Sequence, residues 1–93
     1  MIERDGERLK VSGRLTMDTV AALYDAGLQP DGDGRLEVDL AGVEAVDSAA
    51  VSLLLSWQRR AQRDNLKLSF ANLPVNLLSL ARLYGVAELL PVS

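Results

Sequence analysis

An α/β fold, a mixed sheet with helices packed on it, is what this sequence predicts, and three observations carry that reading. Short alternating apolar runs, "RLEVDL" and "LKLSFA", have the period of half-buried strands. Between and after them lie longer stretches with apolar residues at helical spacing. Turn and cap residues punctuate the changes from one pattern to the other. With 93 residues the chain is one domain's worth, 1–93. At this size about 60–65% of the unfolded chain's surface can be buried, enough for one modest core. A share of 48% hydrophobic and 25% charged residues fits a globular chain.

The first segment, "IERDGERLKVSG", centres on Asp5-Gly6, a hairpin signal. Leu9 and Val11 alternate with Arg8 and Lys10, as in a half-buried strand. In "RLTMDTVAALYDAGLQ" the spacing turns helical: Met17, Val20, Ala21, Tyr24 and Leu28 share a face, Thr16 is placed to cap the start and Gly27 stands near the end. "PDGDG" is a turn. A calcium loop opening at Asp31 would need a glutamate at its twelfth position, where Gly42 stands. In "RLEVDL", Leu36, Val38 and Leu40 face inward, opposite Glu37 and Asp39.

From Ala49 a helix is expected to about Asp64, with Ala50, Leu53, Leu54, Trp57 and Ala61 as its inner stripe. Arg59, Arg60 and Arg63 suit the carboxyl end of that helix, where cations complement the dipole. Leu66, Leu68 and Phe70 mark another strand. "LPVNLLSLARLYG" predicts a third helix with Pro74 in its first turn, Gly85 at its stop and Leu77, Leu80, Ala81 and Tyr84 on its buried face. "VAELLP" is a last turn. The predicted order is β-β-α-β-α-β-α. Helices between single strands favour parallel neighbours, and the initial hairpin adds an antiparallel edge.

Composition narrows the chemistry sharply. With no cysteine and no histidine, disulfides, Cys/His zinc sites, thiol catalysis and Ser-His triads are excluded. A net charge of −3 without a basic stripe argues against nucleic acid. Neither Lys10 nor Lys67 follows a glycine-rich loop, so no phosphate cradle is built, and "GDGR" does not open a helix. No carboxylate pair stands out as an acid–base couple. No catalytic residue, metal site or cofactor is therefore assigned. The amino-terminal "MIERDGERLK" has acids and no apolar core, so a secretory signal is not expected. No apolar run approaches the ~18 residues of a membrane span. The expectation is a cytoplasmic protein that meets a membrane only through a partner.

One pair stands at the junction of strand and helix in "VDLAGVEAVDSAAVSLLLSW": Asp47 and Ser48. Both residue types are favoured helix caps. A hydroxyl at a helix amino terminus is also exposed, near a dipole end that accommodates phosphate, with small Ala49 and Ala50 behind it. The pair is read as cap and contact together.

Three blocks, "LKVSGRLTMDTVAAL", "LEVDLAGVEAVDSAAVSLLL" and "LKLSFANLPVNLLSLARLYGVAELL", resemble the STAS domain, over essentially the whole chain. The resemblance implies a non-enzymatic protein-binding module with a STAS-like mixed sheet. Two branches are similar. In anti-sigma factor antagonists the residue matching Ser48 is phosphorylated by an anti-sigma factor kinase, although that branch follows the pair with Thr-Gly or Ser-Gly where Ala49-Ala50 stands. The ending "SLARLYGVAELLP" resembles instead the MlaB-type accessory subunit, which binds the ATPase of a phospholipid ABC transporter that maintains outer-membrane lipid asymmetry. That likeness implies partner contact through Asp47, Ser48, Val51 and Ser52.

Overall fold

The computed structural model describes residues 2–24 and 34–90. Four strands form one sheet: β1 (Ile2–Asp5), β2 (Arg8–Leu15), β3 (Arg35–Val46) and β4 (Lys67–Ala71), in the order β1-β2-β3-β4. β1 and β2 pair antiparallel, and β2–β3 and β3–β4 pair parallel. Helix α1 (Ser48–Arg63) connects β3 to β4, and α2 (Val75–Leu83) follows β4. Short 3₁₀ turns lie at Val20–Leu23 and Ala87–Leu89. The mixed α/β architecture expected from the alternating patterns is the one observed.

The hairpin turns through Gly6 and Glu7, because Asp5 pairs directly with Arg8. Gly6 takes φ +61°, the backbone region that glycine enters at no steric cost.

Leu9, Val11 and Leu15 of β2, Leu36, Val38 and Leu40 of β3, and Leu68 and Phe70 of β4 point to one side of the sheet and are buried. There they join one cluster with Ala50, Leu53, Leu54, Trp57 and Ala61 of α1 and Leu77 and Ala81 of α2. The α1 stripe read from the sequence is therefore the buried stripe. Trp57 is fully enclosed, and its indole Nε1–H donates to the Leu23 carbonyl at 3.1 Å. That bond fastens the 3₁₀ turn at Val20–Leu23 to the core.

Strand β3 is longer than "RLEVDL" suggested, and it is irregular. Its pairing with β2 shifts register between Lys10 and Ser12 and again between Gly13 and Arg14. At the first shift two residues of β3, Leu40 and Ala41, oppose the single Val11, which frees the Ala41 N–H from the ladder. The Asp39 carboxylate takes that N–H at 3.0 Å. Next to it, Gly42 lies so close to β2 that a Cβ would meet Ser12 Cβ at 2.8 Å. These bulges bend β3 before it delivers Asp47 and Ser48 to the end of the sheet.

Three expectations need correction. The stretch from Thr16 forms a turn and a 3₁₀ segment, with Met17 and Ala21 exposed, Val20 buried and Tyr24 half-buried; Leu28 and Gly27 lie outside the described residues. Threonine chemistry explains the change. Thr19 Oγ1 donates to the Arg14 carbonyl at 2.7 Å and accepts the Thr16 N–H at 3.0 Å, a local alternative to helical bonding. Asp39, placed on the outward face, is buried. Its Oδ1 accepts from the Asn72 amide at 2.9 Å as well as from Ala41, and Arg8 lies 3.3 Å from Oδ2. Tyr84, placed on the buried face of α2, is 51% exposed, because α2 ends at Leu83 and the chain reverses at Gly85 with φ +72°. The Val86 N–H then closes onto the Ala81 carbonyl at 2.9 Å, a glycine-dependent helix stop.

Candidate functional site

The carboxyl ends of the three parallel strands lie at one end of the sheet, and α1 starts there. Asp47 leaves β3 in extended conformation, φ −135° and ψ −169°, as the N-cap of α1. All of its polar groups are engaged. Oδ1 accepts the Ala49 N–H at 2.9 Å, Oδ2 accepts the Met17 N–H at 3.0 Å, its own N–H donates to the Leu15 carbonyl at 3.3 Å and its carbonyl accepts from Ala50 at 3.0 Å. One carboxylate thus caps a helix and ties the loop after β2 to that helix.

Ser48 is different in kind. It is the first helical residue, it is exposed, and its hydroxyl has no partner among the described residues. The cap is Asp47, which leaves Ser48 free at the positive end of the helix dipole. Met17, 72% exposed, stands beside the pair through the bond to Asp47.

Ser52 lies one turn further along α1 and is exposed, whereas Val51 is 3% exposed and reaches the surface only as the floor of a groove. That groove, about 400 Å³, is lined by Ser48, Val51, Ser52, Leu55, Tyr84 and Val86. A second hollow of about 320 Å³, lined by Leu55, Gln58, Arg59, Gln62 and Leu89, continues along α1. Leu55 belongs to both. Three of the four residues singled out from the sequence, Ser48, Val51 and Ser52, therefore occupy one end of a longer apolar trough between α1 and the chain after α2, and Asp47 stands beside that end as the cap.

Leu55, Tyr84, Val86 and Leu89 were not singled out. A signal for two of them exists in the sequence. Three leucines in succession, Leu53 to Leu55, exceed what one inner stripe can hold, and Leu89-Leu90 cannot both face inward from one short turn. In the structure Leu90 is buried and Leu89 is 59% exposed.

Among the described residues no group of three or more acidic, histidine or cysteine side chains is placed to hold a metal ion. Among the described residues the titratable group with a displaced pKa is Asp39, held below its ordinary 3.8 chiefly by the Asn72 amide and then by the Ala41 N–H, with burial opposing and Arg8 and Lys10 assisting. Asp39 sits on the polar side of the sheet, in a network that holds strands together. No described helix is long and apolar enough to cross a membrane.

Comparison with known proteins agrees with this geometry. The fold is similar to that of the anti-sigma factor antagonist SpoIIAA in its unphosphorylated form, with a TM-score of 0.68, 15% identity, and coverage of 100% of this chain and 86% of that one. It is also similar to a sulfate transporter family protein from Wolinella succinogenes, with a TM-score of 0.67, 14% identity, and coverage of 97% and 75%. A region making up 20% of the Mglu structure matches 84% of this chain, with a TM-score of 0.60 and 23% identity. No curated protein matches this chain in sequence. The family model described as Mlab, STAS domain matches residues 1–91. With a four-stranded mixed sheet, the helix start at Asp47-Ser48 and a family match over nearly its whole length, the chain belongs to the Mlab STAS-domain family.

Proposed function

We propose that this protein is a non-enzymatic adaptor that binds the ATPase subunit of a phospholipid-trafficking ABC transporter, at the cytoplasmic face of the inner membrane and through that partner alone. The observation that carries this reading is the family match over residues 1–91. The site supports it. Ser48 and Ser52 present hydroxyls with no hydrogen-bond partner among the described residues beside an apolar trough, while the capping work is done by Asp47. Such a surface suits a protein partner, with a polar edge and apolar side chains that gain from being covered.

A second reading, an anti-sigma factor antagonist switched by an anti-sigma factor kinase, is favoured by one feature: the exposed hydroxyl of Ser48. Phosphorylation there would add about 1.5 to 2 negative charges next to the Asp47 carboxylate and oppose a partner that packs closely.

Ser48→Arg separates these readings. The position is exposed, so the variant folds, but bulk and charge enter the contact. The expected outcome is loss of the transporter ATPase on co-purification, lower ATPase activity of the assembled complex and detergent-sensitive cells. Intact membrane resistance with altered expression of a gene set would instead establish the sigma-regulator reading.

A further inference from the structure

Arg59, Arg60 and Arg63 do more than complement the dipole at the carboxyl end of α1. With Ser56 they stand at i, i+3, i+4 and i+7, so the four side chains share one face of the helix. Together with Tyr24 they line a hollow of about 510 Å³ between α1 and the end of the 3₁₀ turn at Val20–Leu23. The core fixes the wall opposite α1: the Trp57 indole holds the Leu23 carbonyl at 3.1 Å, and Tyr24 follows directly, half-buried. Among the described residues no carboxylate lines the hollow.

A helix face that is merely solvated ordinarily sets acids three or four residues from its bases. Helix α1 has no acid from Ser48 to Arg63, so Arg59 and Arg63 meet as a like-charged pair at i, i+4, which weakens the helix. Asp64 lies 3.5 Å from the Arg63 Nε, but both side chains are exposed and the pair is weak. Arg60 has an interaction of its own within the protein, whereas Arg59 has no ion-pair partner among the described residues. The carboxyl end of the helix contributes about half a negative charge, less than any one of the three guanidiniums. An anion entering here meets positive charge on a chain whose net charge is −3.

We infer that this hollow binds a phosphate group, held chiefly by Arg59 and Arg63, with Arg60 beside them and Ser56 and Tyr24 as hydroxyl donors. The planar fork of a guanidinium matches two phosphate oxygens, which a rim of single-point donors does not. The assignment is independent of the adaptor reading, since it uses neither the Ser48 end of α1 nor the chain after α2. Free phosphate and the headgroup of an acidic phospholipid present the same chemistry to these residues.

The test titrates the full chain with inorganic phosphate at constant ionic strength, with chloride as the control, and follows the arginine Nε–H signals by NMR. Saturable shifts are expected at Arg59, Arg60 and Arg63 and not at Arg82, an exposed arginine in the last turn of α2. Arg59→Gln should weaken binding at least about tenfold. Arg82→Gln removes the same charge outside the hollow and should leave binding unchanged. Both positions are exposed, so both variants fold, and unchanged Trp57 emission checks this. In a second arm the chain is sedimented with phosphatidylcholine vesicles, with or without phosphatidylglycerol. Phosphate binding without sedimentation assigns the hollow to a free anion. Sedimentation that requires phosphatidylglycerol and is weakened by Arg59→Gln, but not by Arg82→Gln, assigns it to a lipid headgroup. A response in neither arm beyond that of chloride, or binding that Arg59→Gln retains in full, overturns the site.

Discussion

The two faces of this small domain are finished differently. On the sheet side, charge is answered by charge. Asp5 pairs with Arg8 across the hairpin and Arg8 with Glu37 in the next ladder; Glu3 pairs with Lys10 and Lys10 with Asp39. Arg8 reaches Glu37 at 2.6 Å and Asp39 at 3.3 Å. Each pair of this sort contributes little, about 0–1 kcal/mol when exposed, and they lie in the first half of β2, while Arg35 faces Lys67 across the next ladder. On the helix side Leu55, Tyr84 and Leu89 show apolar surface, and Arg59 has no ion-pair partner among the described residues. Charge pairs thus finish one described surface, whereas apolar side chains remain open on the other.

Trp57 lies beneath both faces, so its loss is the largest expected effect and cannot tell them apart. Trp57→Ala removes a fully buried ring and its bond to the Leu23 carbonyl. It should cost about 3–5 kcal/mol, a large part of the ~5–15 kcal/mol that holds a small domain together. Urea denaturation should show a midpoint lowered by at least about 1 M. An unchanged midpoint would mean that the Trp57 site is not part of the core.

The Asp47 and Asp39 carboxylates sharpen the comparison, because each serves one face. Asp47→Ala deletes the α1 cap and the tie to Met17. The expected cost is about 2–3 kcal/mol, with amide exchange speeding up at Met17 and Ala49 and not in the β1–β2 hairpin. Asp39→Asn should cost less, about 1–2 kcal/mol, and should loosen the Ala41 and Asn72 contacts instead. Its signature is in the pH dependence. The folded pKa of Asp39 lies below 3.8, so its stabilisation is complete at neutral pH and is lost as the pH falls below about 4 and through that lowered value. The wild type should therefore lose more stability than Asp39→Asn between pH 5 and the acid limit (about pH 2), and parallel acid curves would remove Asp39 from the network.

How much of this was legible beforehand follows from the range of the forces involved. Periodicity located the inner stripe of α1 and the inward leucines of β3 and β4, because burial of a regular element repeats along the chain. The same reasoning set Asp39 outward, since nothing local announces that Asn72, 33 residues on, would adopt φ +56° and close over it. It read a helix from Thr16, where side-chain bonds from Thr19 and a tie from Asp47 favoured a turn. Asp47 and Ser48 could be found as a pair, but not divided. Which oxygen caps depends on the angle at which the twice-bulged β3 arrives, and that angle is set by pairing with β2.

That division gives the smallest and most discriminating prediction. Two favoured cap residues stand together, and a cap deletion ordinarily costs about 0.5–2 kcal/mol. Here the cap bond belongs to Asp47 Oδ1, and the Ser48 hydroxyl meets no described partner. Ser48→Ala should therefore leave stability within about 0.5 kcal/mol of wild type, as for other exposed positions away from special contacts. Removing one hydroxyl from a surface whose apolar trough is untouched should also leave the ATPase bound, in contrast to Ser48→Arg. Chemical denaturation and co-purification on the same sample check both statements. A loss of 1 kcal/mol or more would show that the serine shares the capping with Asp47. Full stability with abolished ATPase binding would assign Ser48 a direct hydrogen bond to the partner, which makes the polar edge rather than the apolar trough the dominant contact.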